Sequence, residues 1–165
     1  MTPLGESIRN GLFLFFEQQG NRIGDRPVEI VVEDTEANPQ TALRKYRQLV
    51  SSEQVDLLVG PVSSAVLYAL VDEVNKDKII LIDANAAASD LSWDRKSDYV
   101  YRGSFSNWQN GSALAEYVAK NIGKKAFTIA NDWPAGHEAI AGFRYAFEAA
   151  GGEIVGEAWA KLGTT

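Results

Sequence analysis

Apolar and polar positions alternate along this chain in two rhythms. Ile8, Leu12, Phe15 and Phe16 recur at helical spacing, Phe13 and Leu14 widen that face, and Gly20-Asn21 ends it. This predicts a helix over 5–19, either buried against a sheet, the commoner use of such a face, or offering a partner surface. Val28–Val32 is a short β-branched run and predicts a strand. A helix follows over 41–51, with Ala42, Leu43, Tyr46, Leu49 and Val50 on one face and Arg44, Lys45 and Arg47 on the other. Val55–Val59 is a second buried strand, followed by a helix carrying Val66, Leu67, Leu70 and Val74. Strands are then predicted over 78–82, 99–102, 126–130 and 153–160, and helices over 107–122 and 138–150. Trp108, Leu114, Ala115 and Val118 are the expected inward positions of the helix over 107–122.

Strands that alternate with helices predict an α/β fold, a parallel open sheet with helices on both faces. Ligands in such sheets sit at the carboxyl ends of the strands. Three loops stand there, after Val59, Ile82 and Ala130. The first is the most informative. Gly60-Pro61 is a turn signal, and Ser63 and Ser64 occupy the N-cap region of the next helix. Backbone N–H groups at a helix start favour an anion by about 0.3–1 kcal/mol, and hydroxyls add adjustable donors. No Lys follows the glycine as a phosphate loop requires, so a small carboxylate suits the site better. A capped helix without a ligand is the commoner outcome and stays open here. In the second loop, Asp83 to Leu91, small residues allow close approach of a ligand to the backbone; a tight loop ahead of a short helix is the alternative.

Charge and composition narrow the classes. The 165 residues carry a net charge of −6, which argues against nucleic acid or an anionic membrane as partner. Cysteine is absent, so thiolate chemistry and disulfides are excluded. Glu33, Asp34 and Glu36 close the first strand; they read as solvated loop carboxylates rather than a metal or phosphoacceptor site. His137, the single histidine, has no Ser or Cys partner at recognisable spacing and reads as a surface residue at a helix start. With no Ser-His-Asp set, metal-ligand spacing or phosphate loop, no catalytic residue, metal or cofactor is assigned, and a non-enzyme is expected. Met1-Thr-Pro-Leu-Gly reads as a start without a signal peptide.

The runs VEIVVEDTEANPQTA, VDLLVGPVSSAV, DANAAASDL, YVYRGSFSNWQ and the stretch around Asp132 to Glu157 resemble the type I periplasmic substrate-binding proteins of ABC importers. The nearest branch is the leucine/isoleucine/valine-binding proteins. The resemblance implies two flavodoxin-like lobes, the first over 1–104 and the second beginning at 105 and running to 165. It implies a hinge between them, a small carboxylate-bearing ligand in the cleft, an ABC permease as partner, and a periplasmic or extracellular location, lipoprotein forms included. A ligand-sensing domain of a receptor or regulator is the alternative with the same fold. Residue by residue, Ser64 with Ser63 beside it matches the serine loop that grips the ligand carboxylate. Asn85, Ala86 and Ala87 match the loop giving backbone contacts. Asn107 matches the first residues of the closing lobe, and Trp133 the aromatic position of its loop.

Departures from the pattern shape the ligand expectation. Amino-acid binders of the family place a hydroxyl where Ala87 stands, and tyrosines where Leu4 and Ala135 stand. An unpartnered buried ammonium is costly, so an aromatic or aliphatic acid is favoured over an α-amino acid. The resemblance also implies a strand ahead of the first helix, pairing between 28–32 and 55–59, and a longer second lobe. The chain therefore reads as truncated at both ends. Two free strand edges would then call for a remedy: a second-lobe strand re-registered into the gap, or a strand-swapped homodimer.

Overall fold

The computed structural model describes residues 3–161 and Gly163; Met1 and Thr2, part of the stretch on which the signal-peptide expectation rests, lie outside the described residues. The elements run α1 (Pro3–Gln18), β1 (Arg22–Ile23), β2 (Arg26–Pro27), α2 (Pro39–Ser51), β3 (Leu57–Val59), α3 (Ser64–Asp77) and β4 (Ile80–Asp83). A 3-10 turn (Ser89–Ser92) leads to β5 (Val100–Arg102), α4 (Asn107–Asn121), β6 (Lys125–Asn131), α5 (Pro134–Ala149) and β7 (Glu153–Ala160). Local chemistry explains the helix starts. Asn38 Oδ1 accepts from the Gln40 and Thr41 N–H groups at 2.8 and 3.0 Å, with Pro39 in the first turn where its missing donor costs nothing. Ser106 and Gln109 form a reciprocal capping box at 3.3 and 2.9 Å.

The two sheets that carry the core are parallel, as the alternation predicts. β3, β4 and β5 form one, with Leu58 opposite Leu81 and Ile82 opposite Tyr101. β6 and β7 form another. Each sheet has its own buried cluster. In the first, Val66, Leu70 and Val74 repeat every four residues along α3 and pack with Leu67 against Ala42, Tyr46 and Leu81. Each such side chain contributes roughly 1.5–3 kcal/mol by leaving water. In the second, Ala115 and Ala119 of α4 meet Phe147 of α5. Leu114, expected inward, is exposed: the neighbouring Ala115 faces α5 instead.

Three expectations are corrected. Residues 28–32 adopt no regular secondary structure and belong to no ladder, while a small antiparallel pair, β1 with β2, forms just before them. Helix α1 is not buried: it has no buried residue, and Phe13, Leu14 and Phe15 face outward. Its Ile8, Leu12 and Phe16 line a cavity of about 700 Å³ together with residues 28–32 and 55–59. Neither β6 nor β7 re-registers into that space, because the two pair with each other along residues 125–131 and 153–160.

Candidate ligand-binding site

The loops after β3 and β4 meet at the start of α3. Ser63 is the N-cap, with extended backbone, and its Oγ accepts from the Val66 N–H at 3.4 Å. Its own O–H finds no acceptor among the described residues. Ser64 is different. It is 3 % exposed, its hydroxyl donates to the Ala86 carbonyl at 3.1 Å, and it accepts from Asn107 Nδ2 at 3.2 Å. Both roles of that hydroxyl are occupied within the protein.

The second loop is shaped by Asp83. Its Oδ1 accepts from the Ala86 and Asn85 N–H groups at 2.7 and 3.2 Å, turning the chain tightly after β4. Burial pushes the Asp83 carboxyl above the ordinary 3.8, against the opposing pull of those N–H groups and of Arg102. Ala86, Ala87 and Ala88 are all buried. The Ala87 carbonyl accepts from the Asn107 N–H at 2.8 Å. The Ala86 and Ala87 carbonyls, the natural acceptors for a ligand ammonium here, are thus each engaged already, by Ser64 and by Asn107.

Of the residues singled out from sequence, the structure brings Ser64, Ala86, Ala87 and Asn107 into one hydrogen-bonded set, with Ser63 and Asn85 beside it. Trp133 is not joined to that set. It caps α5 with extended backbone, its N–H on the Asn131 carbonyl at 2.9 Å. Helix α5 begins four residues before the expected start, so His137 lies within its first turn; its ring stacks on Trp159 at 3.9 Å and meets Asp132 at 2.7 Å.

Sequence reasoning missed Glu138, Tyr68 and Arg102. Glu138, on α5, accepts from Tyr68 Oη, from the N–H and Oγ of Ser89, and from Asn107 Nδ2, all within 3.0 Å. Burial, and after it the bond to Glu138, raise the Tyr68 phenol above its ordinary value of 10.0. Arg102 pairs with Asp83 and donates to the Ala88 and Phe105 carbonyls, tying the second loop to the crossing segment before α4. Nothing local marks these residues in the sequence; each acts through partners between 3 and 70 positions away.

The whole chain, residues 1–165, matches the profile of a family described as periplasmic binding protein. This chain belongs to that family. Leu/Ile/Val-binding protein homolog 6 of Brucella abortus is 30 % identical over 152 residues, covering 92 % of this chain and 38 % of that protein. An ABC-transporter solute-binding protein of R. palustris, solved in complex with benzoate, superposes with a TM-score of 0.92 at 35 % identity, over 98 % of this chain and 45 % of that one. Another from Rhodopseudomonas palustris, in complex with 3,4-dihydroxybenzoic acid, gives 0.89 at 28 % identity, over 96 % and 43 %. The chain thus spans less than half the length of the relatives it matches. No helix among the described residues is long and apolar enough to cross a membrane.

Proposed function

We propose that this chain is part of the solute-binding component of an ABC importer, acting outside the cytoplasmic membrane with its permease, and that its ligand is a small aromatic acid. The two sheets with their separate cores serve as two lobes, with the segment around residue 104 between them. The observation that carries the reading is the division of labour between the two serines. Ser64 is spent on holding the second loop, whereas the Ser63 hydroxyl keeps its proton for a ligand oxygen at the start of α3. Ser63 is therefore the principal carboxylate grip, with Ser64 behind it. Asn85, Ala86 and Ala87 form the wall, Asn107 fastens the wall to the second lobe, and Trp133 is the aromatic candidate on the closing side.

The ligand class follows from what the wall lacks. Ala87 has no hydroxyl, the Ala86 carbonyl already accepts from both Ser64 and the Ala88 N–H, and the Ala87 carbonyl, which accepts from Asn107, keeps one lone pair, so the three donors of an α-amino group would lose their hydration for one acceptor here. A benzoate-like ligand carries no such group, in keeping with the benzoate complex of the relative described above. A thermal-shift screen of a full-length protein carrying this segment, against aromatic acids and branched-chain amino acids, tests the reading. Stabilisation by aromatic acids is expected; stabilisation by amino acids alone overturns it.

A further inference from the structure

Helices α4 and α5 touch backbone to backbone. A Cβ on Gly111 would collide with the Ala139 carbonyl, and one on Gly142 with the Trp108 carbonyl. One turn ahead of each glycine stand Asn107 and Glu138, so this close approach sets the two side chains against each other at 2.8 Å. Glu138 Oε2 also accepts from the Ser89 N–H at 2.9 Å and the Ser89 hydroxyl at 3.0 Å, and its Oε1 accepts from the Tyr68 hydroxyl at 2.5 Å. One carboxylate therefore collects four donors from α3, the end of the second loop and the start of α4. A carboxylate is acceptor only, and bonds to a charged acceptor are roughly twice as strong as neutral ones.

We propose that Glu138 is a positioning residue of the cleft. It locks the α4–α5 half onto the first sheet's loops and, through Asn107 and Ser64, fixes the Ala86 carbonyl and the first turn of α3. The path is continuous: Glu138 to Asn107 Nδ2, Asn107 Nδ2 to Ser64 Oγ, and Ser64 Oγ to the Ala86 carbonyl at 2.8, 3.2 and 3.1 Å. Motion of α5 is thereby coupled to the wall on which the ligand rests. Only this last consequence depends on the proposed ligand reading; the lock itself does not. Replacing Glu138 by Ala leaves four inward donors without their acceptor. Gln keeps one oxygen for Ser89 and Asn107 and turns its amide toward the Tyr68 oxygen. Asp keeps the charge but is one methylene too short.

Because the chain has no Cys, Lys76→Cys and Lys125→Cys place one pair of spin labels per chain on exposed positions of α3 and β6, and dilution with an excess of unlabelled chain restricts the measured distance to labels on one chain even in a dimer. The label-to-label distance is measured in the parent, Glu138→Gln, Glu138→Asp and Glu138→Ala, alongside amide exchange at Ser89 and the melting temperature. Parent and Gln variants should share one narrow distance. Asp and Ala should broaden it, and in Ala the Ser89 N–H should exchange at least about tenfold faster. A fall in melting temperature with the distance and Ser89 protection unchanged means a structural contact only and overturns the proposal. Should Glu138→Ala fail to fold, Glu138→Asp with the parental distance overturns it equally. No ligand is present in the experiment, so a failure of benzoate to bind leaves its outcome intact.

Discussion

Arg102 Nη1 stands 3.5 Å from Asp83 Oδ2, and the Asp83 side chain is 1 % exposed. The pair joins the end of β4 to the end of β5, where the second loop and the crossing segment both begin. Removing Arg102 leaves a buried carboxylate with only N–H partners. Arg102→Ala is expected to lower stability by about 3–5 kcal/mol, the usual cost of breaking a buried pair from one side. Denaturant unfolding checks this; a loss below about 1 kcal/mol would make the pair peripheral.

The same carboxyl gives a pH dependence. Its folded pKa lies above 3.8, so the folded protein keeps the Asp83 proton to higher pH than the unfolded chain does. Its contribution is complete below pH 3.8 and is lost as pH rises through the folded value. Asp83→Asn, which still offers an oxygen to Ala86 and Asn85, removes this pH dependence. The stability of the parent minus that of the variant should fall as pH rises from 3.8. A difference that rises over that window contradicts the assignment.

Gly111 and Gly142 supply a packing prediction. Alanine at either position pushes α5 off α4, and overpacking of this kind costs about 1–3 kcal/mol. For a chain of this size each kcal/mol lowers Tm by about 2–4 °C. Gly11, which has open space around it, is the control: Gly11→Ala should be neutral or slightly stabilising in the middle of α1.

Much of this was legible in the sequence, and the reason is local. Apolar repeats such as Val66, Leu70 and Val74, and a cap such as Ser63, act within a turn or two, so α2 and α4 fall within a few residues of their expected bounds and α3 starts at its expected serine cap. Residues 28–32 read as a strand because β-branched residues prefer extended backbone. A strand also needs a neighbour, and the composition of five residues says nothing of one: the structure pairs them with none. At the site, Ser63 and Ser64 are alike in sequence and differ because Ser63 caps α3, whereas Ser64 meets Ala86 of the second loop and Asn107 of α4. Glu138 looks like any surface glutamate until α5 packs on α4.

The cavity between 28–32 and 55–59 has its own consequence. Val31, Val32, Leu57 and Val59 are each about 40 % exposed, and the open edge of β3, with apolar residues 28–32 unpaired, invites pairing with another chain. Self-association is expected, in the form of a homodimer exchanging strands. Sedimentation velocity should give a species heavier than 18.0 kDa at roughly 10–100 μM, the range of weak association. A monomer throughout contradicts it.

The central claim is that Ser63, at the start of α3, grips the carboxylate of an aromatic acid. Calorimetric titration of benzoate into a full-length protein carrying this segment, with and without Ser63→Ala, tests it most directly. Loss of a hydrogen bond to a charged group is expected to weaken binding by about 1.5–3 kcal/mol, roughly ten- to a hundredfold. Ser63→Ala also removes the cap on the Val66 N–H, about 1 kcal/mol of stability, so the titration is run well below the variant's Tm. Benzoate binding to the parent with that loss in the variant is the predicted result. Equal benzoate affinity in both proteins, or binding of leucine in place of benzoate, would contradict the claim.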